Sequence, residues 1–192
     1  IGRLDIHWKK VSHKQLSGMK IIDIGLKDAL LIEVDKHVDS RGFFMESFNQ
    51  KKFGIEYDFV QDNHSMSHRG VLRGLHYQIK HPQGKLVRCI RGTVYDVIVD
   101  LRQSSETFGE WYGVELNRPE LQLWVPPGFA HGFYTLSEVA HITYKTTDYY
   151  YPKHDRTLLW NSLDINWHTN GEPILSEKDT QGKTFIRCDK FA

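Results

Sequence analysis

The chain has 192 residues, 40% of them hydrophobic and 26% charged, enough apolar material for one globular domain with a buried core. Lys and Arg number 25 against 24 Asp and Glu, a net charge of +1, which excludes a protein that holds nucleic acid through its overall field and leaves any anionic ligand to a local cluster. Cys89 and Cys188 stand in no metal-ligand spacing, and no apolar run reaches the roughly 20 residues that cross a bilayer, so a soluble, cytoplasmic protein with reduced thiols is expected.

Residues 1–18 are polar and basic, end in Ser17-Gly18 and precede Met19 and the apolar segment KIIDIGL. They read as an appended tail or a native extension, the tail being favoured, with Met19 as a plausible natural start and residues 19–192 as the folded domain. From there the pattern is one of short strands: Leu30 to Val34, Gly42 to Phe48, Lys85 to Ile90, Thr93 to Leu101, Trp111 to Leu116, Leu121 to Val125, Phe129 to Leu136 and Val139 to Thr143. Val, Ile, Phe, Tyr and Trp fill them, and Gly, Pro, Asn and Ser punctuate them at short intervals. A short helix around Asn49 to Phe53 is the only convincing helical stretch. Within Thr93 to Asp100, Tyr95, Val97 and Val99 point one way, while Asp96 and Asp100 share the other side with Val94 and Ile98. That second side predicts a mixed face lining a cavity. The spacing predicts an all-β fold, a jelly roll ahead of an ordinary sandwich.

The densest polar cluster runs Gln61-Asp62-Asn63-His64, then Arg69-Gly70-Val71-Leu72-Arg73-Gly74-Leu75-His76-Tyr77-Gln78, then Gln83-Gly84-Lys85-Leu86-Val87-Arg88. Further ordered motifs are Asp39-Ser40-Arg41-Gly42-Phe43-Phe44, Phe129-Ala130-His131-Gly132-Phe133, Tyr144 to Tyr150, and Leu175-Ser176-Glu177-Lys178-Asp179. Together they resemble the signature of the dTDP-4-dehydrorhamnose 3,5-epimerases, cupin-like jelly rolls of bacterial deoxysugar biosynthesis. The resemblance covers residues 19 to about 180 and is specific, because several long motifs occur in the right order.

It implies proton transfer next to a ketone, without a cofactor or metal. Such a proton needs a positioned base and a group that stabilises the enolate oxygen. The resemblance makes His76 the base, and the ordinary imidazole pKa near 6.5 suits it to take and return protons. By the same match Asp179 orients the ring, Lys85 meets the oxyanion on C4, and Tyr144 is the acid that returns a proton on the opposite face. The implied substrate is a dTDP-4-keto-6-deoxy sugar. Arg41 and Arg73 match phosphate and sugar contacts, Phe44 and Glu46 nucleotide contacts, and Gln61, Asn63, His131, Asp155 and Lys178 further substrate contacts. The chain departs from the family pattern at Asp155, usually glutamate, and at Tyr151, usually a small residue. The family also implies a homodimer that exchanges its amino-terminal strand, with some of these residues serving the neighbour's site. No nucleic-acid or membrane partner is expected.

Each residue taken alone has a plainer reading: His76 is one of 11 histidines, Asp179 fits a turn or cap, Lys85 a solvated strand end, and Tyr144 lies near further tyrosines that suit packing. A metal-dependent cupin is a rival, since Pro126-Pro127-Gly128-Phe129-Ala130-His131 resembles half of a cupin metal motif. The other half, two histidines one residue apart with a carboxylate, is missing, because Gly74 stands two residues before His76. A non-catalytic sugar-nucleotide binding module would not require a base and an opposed acid together. Epimerases acting at C3 alone or C5 alone share similar motifs and remain an alternative within the enzyme class.

Overall fold

The computed structural model describes residues 13–192. Strands β1 (His13–Leu16) and β2 (Met19–Asp23) form a hairpin whose turn is made by Ser17 and Gly18, the glycine at φ +85°. The boundary placed at residue 18 therefore falls inside a paired element, and residues 1–12 lie outside the described residues. There follow β3 (Leu30–Val34), β4 (Lys36–Asp39), β5 (Gly42–Met45), helix α1 (Gln50–Phe53), β6 (Gln61–His68), β7 (Leu72–Gln78), β8 (Lys85–Arg91) and β9 (Val94–Asp100). The chain continues through β10 (Trp111–Leu116), β11 (Leu121–Val125), β12 (Phe129–Thr135), β13 (Val139–Thr146), β14 (Asp155–Thr157) and helix α2 (Glu177–Thr180).

Two antiparallel sheets face each other, one ordered β1-β2-β3-β11-β8-β13-β6 and the other β10-β9-β12-β7-β14, in the manner of a jelly roll. Among the described residues β4 and β5 pair only with each other, as a separate hairpin. The strand expected to run on to Phe48 ends at Met45, because Phe48 turns to stack edge-on against Phe53 and Phe59 and Asn49 caps α1 through the amides of Lys51 and Lys52.

Three apolar clusters follow from the alternation of each strand. Between the sheets, Val87, Cys89, Leu123 and Ile142 meet Val94, Ile98 and Phe133. The outer face of the smaller sheet carries Leu72, Tyr77, Val97 and Val99 and is covered by the carboxy-terminal segment through Leu158, Trp167 and Cys188. The outer face of the larger sheet is covered by Phe53 and Ile55 against Ile32, Leu86 and Trp124. β12 lies under such cover on both sides and is buried along its whole length. Burying each Val, Leu or Ile stabilises the fold by about 1.5–3 kcal/mol before chain entropy is counted. β9 alternates as expected, with Val97 and Val99 outward and Val94, Asp96 and Ile98 inward. Asp100, however, lines no cavity: it accepts from Arg102, Ser105 and Thr107 and fastens the turn that follows β9.

Hydrocarbon thus fills one half of the space between the sheets. The other half is left to polar side chains. β7 and β12 close up there because Gly74 and Gly132 have no side chains: a Cβ on Gly74, at φ +119°, would lie 2.6 Å from the Gly132 Cα and 2.8 Å from the His131 oxygen. That approach sets His76 opposite His131 across the two strands.

Candidate active site

His76 points into the polar half from β7, its side chain 30% exposed, and Nε2 lies 2.6 Å from the Asp179 carboxylate. Asp179 is buried and held from three directions. Its Oδ1 also accepts from the Gly74 amide at 3.2 Å, and its Oδ2 accepts from the Ser176 hydroxyl at 2.7 Å. Ser176 is the N-cap of α2, and the capped turn holds Asp179 against His76. Burial alone would push the Asp179 pKa up, but the hydrogen bonds from His76 and Ser176 outweigh it and hold the group below the ordinary carboxylate range. For His76, burial is the largest influence and lowers its pKa, against the support of Asp179, with Lys178 and Lys85 lowering it further. A neutral imidazole backed by a fixed carboxylate is a general base.

Lys85 enters from the opposite layer, on β8. It is almost wholly buried, and its Nζ reaches across to the His76 carbonyl at 3.4 Å. Burial brings its pKa down to about 8, with Asp155 and Asp96 raising it and Lys178 lowering it. Tyr144 is also on the opposite layer, on β13, inward-facing and packed against the inter-sheet core. Burial raises its pKa, the Arg73 charge lowers it and the Asp155 charge raises it, so the phenol remains a proton donor near neutrality. His76 and Tyr144 therefore stand on opposing walls.

Around them, Arg73 donates from Nε to Ser67 Oγ at 2.9 Å and from Nη2 to the Met66 oxygen at 3.3 Å. Gln61 and Asn63 lie inward on β6 and bond each other at 3.0 Å, Asn63 being the register partner of Tyr144. His131 is buried, with Nε2 on Asp96. Asp155 bonds Lys178 and accepts from the Tyr150 hydroxyl at 3.0 Å, which gives the shortened carboxylate two partners. Tyr151 turns away and stacks on His81, ring centroids 4.2 Å apart.

The structure does not bring Arg41, Phe44 and Glu46 to this group. Arg41 pairs with Asp39 at 2.6 Å and is 88% exposed, Phe44 is 71% exposed, and Glu46 pairs with Lys52 at 2.8 Å. All three belong to the separate hairpin β4–β5 or its edge. Sequence reasoning gave no role to Asp96, Ser176 or Gln78. Gln78 is buried, donates to the His81 and Tyr149 carbonyls and accepts from the Tyr151 amide, fastening the loop that carries Tyr150. The Ser176-x-x-Asp179 spacing was the signal for the capped helix. Among the described residues no three His, Cys, Asp or Glu side chains converge as a metal-ligand set, and no helix is long and apolar enough to cross a membrane.

A jelly roll with a His-Asp dyad on one wall and a buried lysine and tyrosine on the other is equipped for acid–base chemistry. The family model for dTDP-4-dehydrorhamnose 3,5-epimerase matches residues 23–186, and the chain belongs to that family. The dTDP-4-dehydrorhamnose 3,5-epimerase of Pseudomonas aeruginosa is 52% identical over 180 residues, 90% of this chain and 99% of the relative. Among solved structures, the dTDP-6-deoxy-D-glucose-3,5-epimerase of Legionella pneumophila, in complex with dTDP-4-keto-L-rhamnose, superposes with a TM-score of 0.86 at 46% identity, covering 89% of this chain and 95% of that one. A 3'-monoepimerase from Streptomyces bikiniensis, in complex with dTDP-quinovose, gives a TM-score of 0.80 at 32% identity, covering 85% of this chain and 86% of that one.

Proposed function

We propose that this protein is an isomerase that epimerises C3 and C5 of dTDP-4-dehydro-6-deoxy-D-glucose, giving dTDP-4-dehydro-L-rhamnose for dTDP-rhamnose biosynthesis in the cytoplasm, without a cofactor. The observation that carries the reading is the placement of His76, oriented by Asp179, on one wall and Tyr144 on the other. Inversion at carbon requires a proton to leave on one face and return on the opposite one. His76 removes the proton next to the keto group, the Lys85 ammonium stabilises the enolate oxygen, and Tyr144 delivers the new proton. Arg73, Gln61, Asn63, His131, Asp155 and Lys178 hold the sugar nucleotide. Arg41, Phe44 and Glu46, on the exposed hairpin, complete the site of a partner in a homodimer. Action at both carbons is favoured over action at one by the higher identity to the double epimerases, 52% and 46% against 32% for the monoepimerase.

Incubation with the dTDP-4-keto sugar in heavy water, followed by NMR, tests this directly. Deuterium should enter at C3 and C5. His76→Ala should abolish exchange at both, whereas Tyr144→Phe should let exchange outrun inversion, since the enolate still forms but is quenched from the face it came from. General acid–base groups contribute about 10²- to 10⁴-fold, so the uncoupling is measurable. Near-native exchange in His76→Ala, or near-native inversion in Tyr144→Phe, would remove the corresponding role.

A further inference from the structure

Asp96 is fully buried at the floor of the site, and the proton transfers above make no use of it. His131 Nε2 lies 2.9 Å from its Oδ1 and 3.0 Å from its Oδ2. A carboxylate only accepts, so Nε2 carries the hydrogen and the lone pair of the neutral ring falls on Nδ1. Nδ1 has no protein partner among the described residues and is not among the buried, unpaired side-chain atoms. His131 faces His76 across β12 and β7, so this free nitrogen sits on the same wall as the base. A clasp between strands does not account for the pair, because β9 and β12 are already bonded along the whole of β12.

We propose that Asp96 is a positioning residue for the epimerase reaction: it fixes His131 as the Nε2–H tautomer, so that Nδ1 accepts from a hydroxyl of the sugar. The proposal rests on the epimerase reading. It gives the acceptor its own carboxylate in Asp96 and leaves the base its own carboxylate in Asp179. Two His-Asp pairs then sit side by side with different tasks, one moving protons and the other holding the ring still.

The test uses the ¹⁵N-histidine spectrum of the full-length protein and the variant Asp96→Asn. The carboxamide that this substitution introduces can donate to Nε2 and so drive the hydrogen to Nδ1, turning the acceptor into a donor. The native spectrum should show His131 as Nε2–H and the variant spectrum Nδ1–H. Turnover should fall by about 10²-fold or more. A role in folding alone would not shift the tautomer. A native His131 protonated at Nδ1 overturns the proposal, as does a variant that keeps the native tautomer and turnover. If Asp96→Asn does not fold, the native spectrum still decides. The tautomer is read without turnover, so native protein that fails to exchange deuterium would refute the epimerase reading, separately from the outcome for Asp96.

Discussion

Burial lowers the pKa of both His76 and Lys85, and the two displacements act on opposite limbs of the rate profile. In the proposed reaction His76 acts as the neutral base, so a pKa below the ordinary 6.5 or so of imidazole should extend activity toward acid. Lys85 is proposed to act when charged, so activity should be lost as pH rises through about 8. Asp179, held below the ordinary carboxylate range, stays ionised throughout this window. The expected kcat/KM profile is a bell whose acid limb lies below pH 6.5 or so and whose basic limb lies near 8. It should be measured with the dTDP-4-keto sugar in buffers of constant ionic strength. A profile still flat at pH about 10, where an unperturbed lysine titrates, would show that the Lys85 charge is not what stabilises the enolate.

The strands matter to this chemistry through one close approach. Gly74→Ala would put a methyl group 2.6 Å from the Gly132 Cα and 2.8 Å from the His131 oxygen, both backbone atoms that cannot rotate away, at a φ of +119° that L residues avoid. β7 and β12 must part, and the His76–His131 register goes with them. Overpacking of this kind costs about 1–3 kcal/mol, so the melting temperature should fall by several degrees and turnover should drop with it. A variant with native melting and native turnover would mean that the spacing of these strands is not critical. Reading strands from apolar runs located β3, β10 and β11 to the residue, because each is a Val, Leu or aromatic run bounded by turn residues. β6 and β7 were not legible in that way. Their inward positions carry Gln61, Asn63, Ser65, Ser67 and His76, all polar, so the apolar alternation is broken around the candidate site. α2 was missed because a four-residue helix has no period to read, although its Ser176 cap was in plain sight. His76, Lys85, Tyr144 and Asp179 were named because their motifs match a family. Asp96 appeared in the alternation of β9 only as an inward acid, since pairing with His131 across two strands leaves no local trace.

At the scale of the molecule, the hairpin β4–β5 is anomalous for a protomer on its own. Val38 and Phe43, paired on one face of the hairpin, are 71% and 58% exposed and form an apolar patch, and Phe44 on the opposite face is 71% exposed, apolar surface that isolated soluble proteins seldom display. Arg41 lies on the same hairpin with, among the described residues, only Asp39 as partner. A two-fold dimer would cover the patch and, if the hairpin reaches into the neighbour, carry Arg41 to the other protomer's phosphate site. Light scattering should accordingly give about twice the 22.5 kDa of the chain. Complementation then decides where Arg41 acts. His76→Ala and Arg41→Ala homodimers should each be severely impaired. When the two chains are co-expressed, half of the dimers are mixed, and in each of these one site joins an intact His76 from one chain with an intact Arg41 from the other. About a quarter of wild-type activity should return, on the assumption of random, two-fold symmetric pairing. If Arg41 serves its own protomer, every site in the mixed dimer lacks one of the two residues, and nothing returns. Co-expression that restores no activity would therefore confine the hairpin to its own chain, and a monomeric mass for the active protein would remove the shared site altogether.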